Sequence, residues 1–266
     1  MISYVTISLV ALLMATVRGS VTTVTRIIGG TDAPLEDFPY MVSIRLNSLE
    51  NPAFGDGFFC QGVLVSPKAV LTSTECVLNG SGSRIPEELS LVLGTTSRTN
   101  ASGSVDAEAE QIWLQNGGHL AMLKLKRGVA GLRLGVLNEF VQDANKRCIV
   151  VGWGANSTDG KPKDRLQEVY VNISKEKCQD SMICTSAANE KGGGVCFWDT
   201  GAPLLCDGSL SGILMGRPDK CGPEITTFVS IRTEWDWIRS QIAAANSGHR
   251  LISTGIIIVG LLMAVK

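Results

Sequence analysis

Eight cysteines and two histidines bound the covalent and acid–base chemistry open to this chain of 266 residues. An even number of thiols suits oxidation in pairs, which places the chain in an oxidising compartment. Imidazole is the side chain best suited to take and return a proton near neutral pH, and only His119 and His249 supply one. A mechanism that needs a histidine base has almost nowhere to put it. Four Asn-x-Ser/Thr sequons, at Asn79, Asn100, Asn156 and Asn172, would accept glycans in a secreted chain. The first three stand in Gly/Ser/Asn-rich segments. Asn172 stands in a β-branched run and needs a solvent-facing position to serve.

Charge narrows the partners. Lys+Arg 24 against Asp+Glu 25 leaves a formal charge of −1, so nothing draws the chain to nucleic acid. Charged residues make up 18% of the chain, below the roughly 25% of an average globular protein, and the mean hydropathy is +0.18. That excess apolarity is concentrated at the two ends.

Residues Ile2 to Thr16 are almost wholly apolar and lead into Val17-Arg18-Gly19-Ser20. This is the length and flank of a secretory signal peptide over 1–19, although its start lacks a positive charge; a buried core helix is the alternative. At the other end, Ala243 to Gly248 are small or polar, His249-Arg250 is polar, and Leu251 to Val265 is apolar apart from Ser253 and Thr254. A membrane span takes about 20 apolar residues, and this run is shorter. Small residues, a polar spacer and a terminal apolar tail match a GPI-attachment signal over 246–266, with Asn246 or Ser247 as the attachment residue. A short tail anchor and an inert soluble tail are the alternatives. Between the ends lie about 220 residues, ample for one all-β domain.

The elements that must position any site are short strands. Apolar or alternating runs recur at Tyr40 to Leu46, Gly62 to Val65, Ala69 to Thr72, Leu89 to Leu93 and Leu120 to Leu125. They continue at Cys148 to Gly152, Leu166 to Ile173, Ala202 to Cys206, Leu210 to Met215 and Ile225 to Ile231. Gly, Ser, Asn, Asp and Pro clusters separate them, as in a barrel or sandwich. One helix is expected: Trp235, Ile238 and Ile242 share a face after Thr233 and Glu234. The fold class is all-β with a C-terminal helix.

Six ordered segments then resemble the chymotrypsin-like serine proteases over about residues 27–242. Arg26-Ile27-Ile28-Gly29-Gly30 followed by Phe38-Pro39-Tyr40 resembles the family's mature start. Cys60 to Val65 with Val70 to Cys76 look like the segments around its histidine, and Leu120 to Leu125 like the strand after its aspartate. Val151-Gly152-Trp153-Gly154, Asp199 to Cys206 and the terminal helix complete the series. The resemblance implies two six-stranded antiparallel β-barrels over 27–245, a short propeptide over 20–26, and the disulfides Cys60–Cys76, Cys148–Cys206, Cys178–Cys184 and Cys196–Cys221.

The resemblance also shows what is missing. An acyl-transfer triad needs a hydroxyl nucleophile, an imidazole and an orienting carboxylate. The matching positions hold Thr200, Glu75 and His119. A glutamate carboxyl titrates near about 4.3, too low for an effective base or for an acid that protonates an amine leaving group. Threonine adds a methyl that restricts its hydroxyl. The oxyanion glycine is replaced by Trp198, whose indole is expected to crowd the pocket, and the base of the specificity pocket is Gly194, without a carboxylate. What remains is the cleavage site Arg26-Ile27 and Asp199, which in the family pairs with the new Ile27 ammonium. Regulated cleavage and simple inheritance of a packed pair are both open readings.

His119 beside Glu75 reads as a partly buried polar residue hydrogen-bonded to that carboxylate; two ligands without a third seldom hold a metal, so no metal or cofactor is expected. The reading is a secreted, non-catalytic protease homologue that binds an extracellular protein partner (a protease, an inhibitor or another secreted protein). The pathway would be an immune cascade, development or reproductive fluid, and the chain would be tethered to the outer cell surface through its C-terminus. The competing readings are an unusual hydrolase using a rearranged Glu75/His119/Thr200 site, and a structural or adhesive ectodomain.

Overall fold

The computed structural model describes residues 30–50, 53–155, 160–176, 178–188, 193–216, 218, 220–222 and 224–247. The proposed signal peptide, the propeptide with Arg26 and Ile27, the Asn156 sequon and the tail beyond Ser247 lie outside the described residues.

Six strands build the first barrel: β1 (Met41–Leu46), β2 (Phe58–Ser66), β3 (Ala69–Ser73), β4 (Leu89–Leu93), β5 (Val105–Leu114) and β6 (Leu120–Leu125). They close in the order β1-β2-β3-β6-β5-β4. Six more build the second: β7 (Arg147–Gly152), β8 (Gln167–Ser174), β9 (Met182–Ala187), β10 (Pro203–Cys206), β11 (Ser209–Leu214) and β12 (Thr226–Ser230). They pair as β8-β7-β10-β11-β12-β9, and β9 returns to β8. Numbered within its own barrel, each half therefore follows the same circuit. Closure removes the open edges that an antiparallel sheet of this size would otherwise expose.

Alternation decides which faces turn inward. In β8, Val169, Val171 and Ile173 are buried while Tyr170 is exposed, the period of two that a half-buried strand requires. In β5, Asp106, Glu108 and Glu110 point to solvent and Ala109 points to the core. Two of the twelve barrel strands were not anticipated, β5 and β9, and without them neither barrel closes. The predicted helix is α1 (Trp235–Asn246), which buries Ile238 and Ala245.

The larger apolar cluster fills the first barrel and extends to Val151, Trp153, Leu205 and Ile238. A second, in the other barrel, includes Val150, Val169, Leu204 and Phe228. Each fully buried Leu, Val or Phe contributes about 1.5–3 kcal/mol. Disulfides join Cys60–Cys76, Cys148–Cys206, Cys178–Cys184 and Cys196–Cys221.

Candidate functional site

The three triad-position residues come from three different connections between strands. Glu75 sits in a single helical turn, Thr74–Cys76, that follows β3 and is capped by Ser73, whose Oγ accepts from Glu75 N at 3.2 Å. His119 immediately precedes β6, and its carbonyl accepts from Thr74 N at 2.9 Å. Thr200 lies before β10, is 8% exposed, and its carbonyl accepts from Gln61 N at 3.1 Å. A backbone bond thus joins the Glu75 and His119 segments, while the Thr200 segment is held by Gln61 on β2. Their side chains are not joined: among the described residues no hydrogen bond or ion pair links Glu75, His119 and Thr200 to one another. His119 is exposed, which corrects the expectation of a partly buried imidazole bonded to Glu75. Its carbonyl, which accepts from both Thr74 N and Thr74 Oγ1, is the group that meets the Glu75 turn.

The Glu75 carboxylate instead faces Gly216. A Cβ added at Gly216 would lie 2.4 Å from Glu75 Oε1, so the carboxylate occupies the space that any side chain there would need. Glu75, Leu214, Met215, Gly216, Lys220 and Thr226 help to line a cavity of about 280 Å³. Its wall is tied to the first barrel by a short hydrogen bond from Ser73 Oγ to the Met215 carbonyl.

Trp198 takes a left-handed backbone conformation, φ 74°, which glycine adopts freely and a bulky residue does not. The indole is 37% exposed, and Nε1 donates to the Gly160 carbonyl at 3.3 Å. The side chain therefore bridges from the Trp198–Thr200 loop, which corresponds by resemblance to the family's nucleophile loop, to the segment that begins at Gly160. Gly194 is pressed against another stretch of backbone: a Cβ there would lie 1.9 Å from the Gly222 carbonyl oxygen. Gly222 N donates to Val195 O at 3.1 Å, and the Cys196–Cys221 disulfide fastens the same two strips. No side chain, and so no carboxylate, fits at that position in this arrangement.

Asp199 is 1% exposed. Its Oδ1 accepts from Gly154 N at 3.0 Å and from Gln61 Nε2 at 3.2 Å, and its Oδ2 accepts from Cys196 N at 2.9 Å. Burial pushes its carboxyl up to about 7, against the pull of those three donors. Among the described residues no basic side chain forms an ion pair with it.

Gln61 was missed in the sequence. It is fully buried on β2, and all four of its polar groups are engaged. Besides the bonds to Thr200 and Asp199, its Oε1 accepts from Trp153 N at 3.2 Å and its carbonyl accepts from Thr72 Oγ1 at 2.7 Å. The available signal was one uncharged polar residue inside the apolar run from Phe58 to Val65; such residues enter a core only with their hydrogen bonds satisfied.

Asn79 and Asn100 are exposed at turns, where their Oδ1 atoms accept from Ser81 N and Ser102 N, each at 2.9 Å. Asn172 is half-buried in β8. Asn246 is the last residue of α1 and accepts from Ser66 Oγ at 3.2 Å; Ser247 follows it, exposed. No described helix is long and apolar enough to cross a membrane. Among the described residues no group of three or more His, Cys, Asp or Glu side chains could hold a metal ion.

Comparison with known proteins agrees with this architecture. The family pattern described as trypsin matches residues 27–238. Human azurocidin is 29% identical over 246 residues, covering 86% of this chain and 92% of azurocidin. Mouse neutrophil elastase is 24% identical, with 90% of this chain and 91% of elastase covered. A trypsin from Saccharopolyspora erythraea is 25% identical, with 82% of this chain and 99% of that trypsin covered. Among solved structures, human heparin binding protein superimposes with a TM-score of 0.69 at 24% identity, over 80% of this chain and 96% of that one. A mutant of the same protein reaches 0.73 at 23% identity, over 84% and 100%.

Proposed function

The chain belongs to the trypsin family of serine proteases, and on that premise we propose that it is a non-catalytic member, acting outside the cell as a binding or regulatory protein. One observation carries the proposal. The Thr200 hydroxyl has no hydrogen bond to Glu75, to His119 or to any other described residue, so no base is placed to take its proton. Glu75 supplies a carboxylate where acyl transfer needs an imidazole, and that carboxylate is turned toward Gly216.

Four disulfides favour an extracellular site of action. The partner is an extracellular protein, held by the altered cleft or by surface loops. Exposed Asn79 and Asn100 would carry glycans, which the intact mass before and after glycosidase treatment reads directly. A lipid attached at Asn246 or Ser247 would leave the barrels intact, because α1 ends there; phospholipase release from cells tests it. The structural neighbours carry heparin in their name, but a formal charge of −1 gives this chain no net electrostatic attraction for a polyanion.

The test is a fluorophosphonate probe applied to the secreted protein, followed by mass spectrometry. The proposal expects no adduct at Thr200. Stoichiometric labelling that is lost in Thr200→Ala would overturn it.

A further inference from the structure

The nucleophile loop is held by a residue that belongs to the other barrel. Gln61 projects from β2 of the first barrel and binds the 198–200 segment of the second three times: its amide nitrogen donates to the Asp199 carboxylate at 3.2 Å and to the Trp198 carbonyl at 3.5 Å, and its backbone N–H donates to the Thr200 carbonyl at 3.1 Å. Its side-chain oxygen is committed to Trp153 N, so the side chain cannot swing away without breaking that bond as well as the one to Asp199, while its backbone carbonyl accepts from Thr72 Oγ1. The site is shaped to admit it. A Cβ added at Gly152 would lie 2.5 Å from both Gln61 Nε2 and Asp199 Oδ1, and one at Gly154 would lie 2.2 Å from the Asp199 carboxylate. The Gly-Trp-Gly run therefore leaves the space in which glutamine and carboxylate meet.

Among the described residues, the three donors to Asp199 are uncharged N–H groups. In a chain uncut after Arg26, residue 27 would carry a peptide nitrogen and no ammonium. We propose that Gln61 is a built-in latch that sets the Trp198–Thr200 loop in the uncut chain, so that cleavage after Arg26 is not the event that orders this loop. The loop's amides report on it: Asp199 N donates to Cys196 O, Gly201 N to Leu214 O and Ala202 N to Asp199 O. The latch is independent of the proposed binding role, since a catalytic chain could carry it equally well.

Hydrogen exchange tests the latch on the full secreted chain. Three forms are compared: Arg26→Gln, which a trypsin-like enzyme does not cut at this bond; wild type cut after Arg26; and Gln61→Leu in the Arg26→Gln background. The expected result is exchange at Asp199, Gly201 and Ala202 within about twofold between uncut and cut forms, and at least about tenfold faster in Gln61→Leu. The amide of Leu123, in the first barrel's β6, should be unchanged. Gln61→Met serves as a second variant, and the comparison of uncut with cut wild-type sequence stands even if neither Gln61 variant folds. Slow exchange that appears only after cleavage would overturn the proposal, as would Gln61 variants with exchange equal to wild type.

Discussion

Gln61 Nε2 lies 3.2 Å from Asp199 Oδ1, and this contact between two buried side chains helps to fasten a strand of the first barrel to the Trp198–Thr200 loop of the second. Both residues are buried, so neither can replace the lost bond with water. Gln61→Leu keeps the volume and removes the donor and the acceptor, leaving a buried carboxylate and the Trp153 N–H underbonded. The expected loss is about 2–3 kcal/mol in denaturant unfolding. A loss below about 0.5 kcal/mol contradicts the assignment of Gln61 as a cross-barrel clamp.

Asp199 should make the uncut chain less stable as pH rises. Its carboxyl is pushed by burial from an ordinary 3.8 up to about 7. A folded value above the unfolded one means that the folded state holds the proton more tightly. The stability it contributes is then complete below about pH 4, falls as the pH climbs to about 7, and is flat above that. At about 1.4 kcal/mol per unit, the fall is on the order of 4 kcal/mol. Unfolding midpoints of wild type and Asp199→Asn between these limits isolate it from other carboxyls, and the variant should lack this component. A wild type whose stability, relative to the variant, rises over that range would contradict the sign.

Gly194 should tolerate no side chain. Its position against the Gly222 carbonyl makes Gly194→Ala an overpacking change, expected to cost about 1–3 kcal/mol. The same contact predicts that Gly194→Asp lowers the yield of folded secreted protein rather than creating a pocket for a basic side chain. Unfolding of Gly194→Ala at the wild-type midpoint would show that the two backbone strips can part.

Much of the fold was legible because alternation and resemblance agree. Ten strands announced themselves through β-branched or apolar runs, and the terminal helix through Trp235, Ile238 and Ile242. β5 hid because its Asp-Ala-Glu-Ala-Glu stretch has the composition of a helix; its strand character comes from pairing with β4 and β6 rather than from propensity. β9 is short, Met182–Ala187, and lacks a clear alternation.

At the site, the residue types at the triad positions were readable, and their side-chain directions were not. His119 lies exposed, and its carbonyl rather than its ring meets the Glu75 turn. Trp198 reaches Gly160, a contact across 38 positions that no local pattern encodes. Gln61 escaped notice because its importance lies in five tertiary hydrogen bonds, none of them visible as spacing in the chain.

Hydrolysis measures the central claim, that the protease fold persists here without its catalyst. Mature protein cut after Arg26 should be assayed against a broad peptide library beside Thr200→Ala, with product formation followed at neutral pH. The account predicts no product above the Thr200→Ala background. Turnover of any peptide that disappears in Thr200→Ala would contradict it.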